Sequence, residues 1–274
     1  MNFSDIYPVK SFFRFFIFIL VVYVLLASVI SLLTTESVSI QACADQFRVI
    51  NANNDRLHER DWQLIDYSHS FCTSYESSEA ISLASGEKRN DLIANADSYE
   101  NFWGTIYSKL VKDSQTHIDF LVDSLSSIAL MEELSRTELA ELIVTFVQDI
   151  PYSYVRVEDC SEANNQGKPC IGHIALGLLS PYEFLHSLYG DCDTRAVLIY
   201  AMLEKLGYDP MIVVSNEYAH AMIALNIPAR GDHLRYRGKN YYFWETTGKG
   251  WPIGMLPPNS NNINYWKIAL VNER

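Results

Sequence analysis

Three residues in chain order carry the types that acyl-transfer chemistry needs: Cys192 within Gly190-Asp191-Cys192-Asp193-Thr194, His220 in a strand-like run, and Glu245 closing another. A cysteine in the first turn of a helix meets unpaired backbone N–H groups and the positive end of the helix dipole, both of which favour thiolate over thiol. A histidine can accept the thiol proton, and a carboxylate can fix the ring and stabilise the imidazolium. Such a set requires no cofactor and no metal. Cys160, Cys170 and His173 form a Cys-x9-Cys-x2-His pattern that does not match common zinc spacings, so a disulfide is the expectation there.

The elements that must position these residues can be read from periodicity. Arg195 to Leu206 places Ala196, Ile199, Leu203 and Leu206 at helical spacing, with Gly207 as a left-handed C-cap. Before it, Ser135 and Glu138 form a capping-box pattern ahead of Leu139, Leu142, Ile143, Phe146, Val147 and Ile150, one apolar face that Pro151 terminates. Ser180-Pro181 starts a short helix. After Gly207 the period becomes extended. Met211 to Ser215, Ala219 to Asn226, Leu234 to Tyr236, Asn240 to Glu245 and Tyr265 to Val271 read as strands, with turns at Arg230-Gly231-Asp232 and Arg237-Gly238-Lys239. Alternation points His220 and Met222 to one face. The helix-then-sheet order is α+β, without the βαβ alternation of a doubly wound sheet. Between Glu36 and Ser135 the chain reads as mainly helical and polar, with a break around Ser85-Gly86-Glu87 and a loop from Asn90 to Asp97.

At Gly190-Asp191-Cys192-Asp193, at the helix end Leu203-Glu204-Lys205-Leu206-Gly207-Tyr208, and at Glu245-Thr246-Thr247 with Gly250-Trp251-Pro252-Ile253-Gly254, the sequence resembles the transglutaminase-like superfamily. The resemblance covers about Ser135 to Pro258. It implies a papain-like core, with helices packed on an antiparallel sheet and Cys192, His220 and Glu245 as the catalytic triad. It also implies protease-like hydrolysis of an amide or peptide, or transfer of the acyl group to an amine. Glu245 stands where the family's commoner residue is Asp. The extra methylene requires a different strand register or ring position for the same hydrogen bond. The oxyanion donor is left open among the Cys192 backbone N–H, Tyr154, Gln166 and His186.

A bland reading accompanies each residue. Cys192 can be a small buried apolar residue, His220 a satisfied core histidine and Glu245 a structural cap. The aromatic run Tyr241 to Trp244 reads as sheet packing, and Trp251 as either a cleft wall or cover for the sheet edge. The whole then becomes a catalytically silent domain serving as a binding or assembly module, since a fold does not fix a function.

The apolar residues are concentrated at one end of the 274-residue chain: Phe15 to Leu33 is 19 residues without a charge, long enough to cross a bilayer. Leu32-Leu33-Thr34-Thr35 offers no small-residue cleavage site, which favours an uncleaved signal anchor over a signal peptide. Lys10 and Arg14 precede the run, and Glu36 and Asp45 follow it. The positive-inside rule therefore leaves residues 1–14 cytoplasmic, 15–33 in the membrane and the rest outside. The expected organisation continues with a helical extension or stalk at 34–134 and the transglutaminase-like domain at 135–274. Beyond residue 33 the chain has 19 basic and 32 acidic residues, a formal charge of −13 that argues against nucleic acid as the partner. The expected partners are a peptide or protein substrate and, through the anchor, the membrane. In such a compartment Cys160 can pair with Cys170 and Cys43 with Cys72, leaving Cys192 odd among five cysteines.

Overall fold

The computed structural model describes residues 46–161 and 167–272. The described residues form one compact unit, mixed α+β, with helices packed on antiparallel sheets. It opens with an antiparallel meander of β1 (Gln46–Val49), β2 (Arg56–Gln63) and β3 (Ser70–Ser77). The expected helical character fails over this stretch. The inward positions of β3 are Phe71, Thr73, Tyr75 and Ser77, and those of β2 are His58, Arg60 and Trp62. Half of this inner face is polar, so the period of two was hidden from any reading of apolar spacing.

Four helices follow: α1 (Glu79–Asn90), α2 (Tyr99–Ser114), α3 (Asp119–Met131) and α4 (Arg136–Asp149). The expected break at Gly86 is absent, and α1 runs straight through it. Glycine is needed there because a Cβ would lie 2.7 Å from Glu183 Oε1, which is held in place by its pairing with Arg89. In α4 the Ser135–Glu138 capping box forms as expected, and Leu142, Ile143, Phe146 and Val147 are fully buried. A pair of two-residue parallel strands, β4 (Tyr154–Val155) and β5 (Cys170–Ile171), brackets the loop closed by the Cys160–Cys170 disulfide. α5 (Pro181–Ser187) carries its own capping box from Ser180 to Glu183.

α6 (Cys192–Lys205) is the central helix, and residues 194–203 are buried on every side. α2, α4 and α5 pack against it, together with the sheet strands β6 (Pro210–Ser215) and β7 (His220–Leu225). With β8 (His233–Tyr236), β9 (Lys239–Trp244) and β10 (Lys267–Val271), these strands form a five-stranded sheet of order β10-β6-β7-β9-β8, each pair antiparallel. The five expected strands are present within two residues at each boundary. Ile212, Val214, Ala221, Ile223, Leu225 and Trp244 face the main core, while Met211, Val213, Met222, Ala224, Tyr241 and Phe243 form a second core under Leu256 and Trp266. The main core also takes in Trp62, Phe71, Tyr107 and Leu125, so residues expected to form an extension share one interior with the expected catalytic domain.

The expected membrane span at 15–33 lies outside the described residues. Among the described residues, no helix is long and apolar enough to cross a membrane.

Candidate active site

Cys192 occupies the first helical position of α6, directly after the N-cap. Asp191 is that cap: its backbone is extended and its Oδ1 accepts from the Thr194 N–H at 3.2 Å. The loop that delivers Cys192 is pinned from both sides. A Cβ on Gly190 would meet the buried Phe184 ring at 2.6 Å, so only glycine lets the backbone pass so close to α5. Arg195, one turn into the helix and fully buried, fastens the other side. Its guanidinium donates to the carbonyls of Gly190 (3.0 Å), Val147 (2.7 Å), Ile150 (2.6 Å), Pro151 (2.8 Å) and Thr246 (3.4 Å). Burial lowers its pKa to about 10, still high enough for it to remain charged at neutral pH. One cation thus ties the end of α4, the cysteine loop and the segment after Glu245 into a single frame.

The cysteine is 9% exposed and is the free cysteine among the described residues. Cys160 is bonded to Cys170 as expected, which withdraws both sulfurs from any metal, and His173 is exposed nearby. Cys72 is also disulfide-bonded. Its expected partner, Cys43, lies outside the described residues. Among the described residues, no group of three or more His, Cys, Asp or Glu side chains could hold a metal ion.

His220 begins β7 after the turn Asn216–Ala219, with Ala219 in the left-handed region at φ 47°. Its Nε2 lies 2.8 Å from Glu245 Oε2, and its ring meets the Trp266 ring edge-on at a centroid distance of 5.8 Å. The longer acid side chain is accommodated by folding back on its own turn. Glu245 Oε1 accepts from the Thr246 N–H (2.8 Å), the Thr247 N–H (2.9 Å) and the Thr247 hydroxyl (2.7 Å), leaving Oε2 to reach the imidazole. Burial alone would raise the Glu245 pKa, but the His220 and Thr247 hydrogen bonds outweigh it, and the carboxyl sits below its ordinary value. The Glu245 carbonyl accepts from buried Gln148 Nε2 at 2.7 Å, a further brace from α4.

The backbone N–H of Ala221, next to His220, lies close enough to the Cys192 sulfur to favour its thiolate, and the Glu245 charge is felt there. The three expected residues therefore converge at the mouth of α6. The electrostatics depart from expectation. Burial, and after it the charges of Asp193 and Asp191, push the Cys192 thiol well above its ordinary pKa, more than the Ala221 N–H offsets. Helix-start geometry alone predicts the opposite. Asp191 itself is pushed up to about 7 by burial and by the neighbouring Asp193 charge.

Several contributors were not read from the sequence. Tyr107 on α2, fully buried, donates to Asp193 Oδ1 at 2.8 Å. Tyr152 is close enough for the charges of Cys192 and Asp191 to raise its pKa, after burial, and it lies beneath the Arg195 guanidinium at 5.7 Å. The one sequence signal was Arg195 itself, a cation inside a helix with no polar face. Among the expected oxyanion donors, Tyr154 packs edge-on against Tyr152 with Arg156 over its ring. His186 is drawn elsewhere, bonded to Ser77 Oγ (2.9 Å) and Glu79 Oε2 (2.5 Å) beneath the meander. Gln166 lies outside the described residues. The Cys192 N–H, at the first helical position, has no intrahelical acceptor and fits the role.

No protein-family model, no curated protein and no solved structure matches the chain.

Proposed function

We propose that the chain is a membrane-anchored, extracytoplasmic cysteine enzyme of transglutaminase-like type, cleaving an amide or peptide bond through an acyl-thioester on Cys192. The observation that carries this reading is the convergence of a helix-start thiol with a histidine whose Nε2 is bonded to a buried carboxylate held by three further protein donors. With Nε2–H donated to Glu245, Nδ1 is the nitrogen for proton exchange. In the reaction, Cys192 Sγ attacks the carbonyl carbon while His220 Nδ1 takes the thiol proton, and the oxyanion forms near the Cys192 N–H. His220 then returns the proton to the leaving amine, and water, deprotonated by the same nitrogen, releases the acid. An amine in place of water gives transfer. The resemblance to prokaryotic members favours hydrolysis.

A pool of mixed-sequence fluorogenic peptides tests this. The native chain is expected to release fluorophore, and Cys192→Ala to release none. Equal turnover by the Cys192→Ala variant overturns the mechanism.

A second reading, a silent module that binds or assembles at a membrane, draws on the high thiol pKa and the enclosure of Cys192. Absence of turnover by the native chain, together with failure of iodoacetamide to label folded Cys192 at pH 8, would favour it.

A further inference from the structure

The residue after the nucleophile is built into the site from two directions. Asp193 Oδ1 accepts from the hydroxyl of Tyr107, which has no solvent exposure, and the same oxygen lies 4.0 Å from Cys192 Sγ, at the limit of a sulfur hydrogen bond. Tyr107 is reached by an aromatic row along one face of α2. Tyr99, Trp103 and Tyr107 recur at steps of four, with ring centroids 6.3 and 5.6 Å apart, and the last two are stacked. The row fixes the phenol, and the phenol fixes the carboxylate. An aspartate following a cysteine at a helix start would otherwise be free to turn to solvent, since the N-cap role is already taken by Asp191.

We propose that Asp193 is a positioning residue that holds Cys192 as a neutral thiol in the resting site, so that His220 takes the thiol proton only as the sulfur attacks and no standing thiolate–imidazolium pair forms. The functional meaning of this rests on the cysteine-enzyme reading, whereas the effect on the thiol itself does not. A carboxylate at this distance disfavours thiolate by direct repulsion and offers the S–H an acceptor. It also competes with the imidazole for that proton. The proton balance is simple: at rest the proton is on sulfur, pointed at Asp193. In the attack it passes to His220 Nδ1 as the S–C bond forms, while Asp193 keeps the Tyr107 bond.

The groups that bear on the sulfur are Asp191 at the cap, Asp193 and Arg195 from α6, Tyr99 and Tyr107 from α2, Tyr152 from the segment after α4, and Glu245 beyond β9, while His220 on β7 bears on Asp193. Of the three carboxylates, Glu245 is saturated by His220 and the Thr246–Thr247 donors, and Asp191 is turned into the cap. Asp193 alone has an oxygen shared between a fixed donor and the sulfur.

The test is the pH dependence of iodoacetamide alkylation of Cys192 in the full chain, with its disulfides intact. Asp193→Asn keeps the shape and an acceptor for Tyr107 but removes the charge. It is expected to lower the alkylation midpoint by about one unit or more and to raise the rate at pH 7 by about tenfold. Tyr107→Phe leaves the carboxylate without its fixed donor and is expected to change the midpoint by less. An unchanged or higher midpoint in Asp193→Asn overturns the proposal. Should that variant not fold, Asp193→Ser takes its place with the same expected direction. A lowered midpoint in a protein whose Cys192→Ala variant turns over peptide as well as the native chain would leave this inference standing and remove the enzymatic reading.

Discussion

At the scale of single residues, the acid of the site is defined by which of its two oxygens does what. Glu245 Oε1 faces only donors, two backbone N–H groups and a hydroxyl, while Oε2 faces the imidazole. In Glu245→Gln the amide oxygen must therefore take the Oε1 position, which presents the NH2 group to His220 Nε2. The ring is forced to accept there and to carry its proton on Nδ1, the wrong tautomer for a base. We expect kcat to fall by about 10³ to 10⁴, the scale known for such a tautomer error, with little loss of stability. The ring 15N chemical shifts of His220 should show the exchange of protonated nitrogen directly. A variant with an unchanged tautomer would refute the argument. His220 and Glu245 were legible as candidates from their positions at the start of one strand and the end of another expected to lie beside it. The folding back of Glu245 onto Thr246 and Thr247 was not, because it depends on the turn taken after β9.

At the scale of elements, the site hangs on α6 and on the single cation one turn into it. The apolar spacing of Ala196, Ile199 and Leu203 identifies the helix, and its boundaries came out within three residues. Arg195 was legible only as an anomaly, since its five carbonyl partners lie 5 to 51 residues away in sequence. Arg195→Met removes the donor from carbonyls at the end of α4, in the cysteine loop and after Glu245, all but that of Pro151 in buried hydrogen bonds. The expected loss is about 3–5 kcal/mol, since each buried carbonyl left without a donor costs about 1 kcal/mol or more, read as a lower urea midpoint. Alkylation of Cys192 should become faster below the unfolding transition, as the loop loosens first. A midpoint shift under about 1 kcal/mol would mean the carbonyls are satisfied without the guanidinium.

At the scale of the whole molecule, the acidic chain buries a carboxylate that prefers its proton. The folded pKa of Asp191, about 7, lies above its ordinary value of 3.8, so the folded state binds this proton more tightly than the unfolded chain does. The stability it contributes is complete below about pH 4 and is lost as pH rises through 7. Between pH 5 and pH 8 the loss is on the order of 2 to 3 kcal/mol, shared with the neighbouring Asp193. Glu245, whose pKa is depressed, acts in the opposite sense only below its ordinary value, but His58, pushed down to about 3 by burial, destabilises the fold below its ordinary 6.5 and so opposes the Asp191 effect between pH 5 and 7. The urea midpoint of the native chain relative to that of Asp191→Asn, which retains an N-cap oxygen and leaves His58 in place, should therefore fall from pH 5 to pH 8. A difference between the two that stays constant or grows over that window would contradict it.

What the sequence determined by itself was local: the capped helices, the strand period after Gly207, the cysteine at a helix start, and the short disulfide loop from Cys160 to Cys170. Each is encoded by neighbours within a few positions, through caps, alternation and turn residues. The meander at Gln46–Ser77 escaped because polar residues occupy its buried face, and Arg60, Thr73 and Ser77 there meet partners far along the chain: Asp149, Ser124 and His186. Tertiary structure alone decided the charge environment of the thiol. A helix start favours thiolate, but burial beside two carboxylates reverses the sign, and only the assembled fold determines how much water and how many charges surround one sulfur atom.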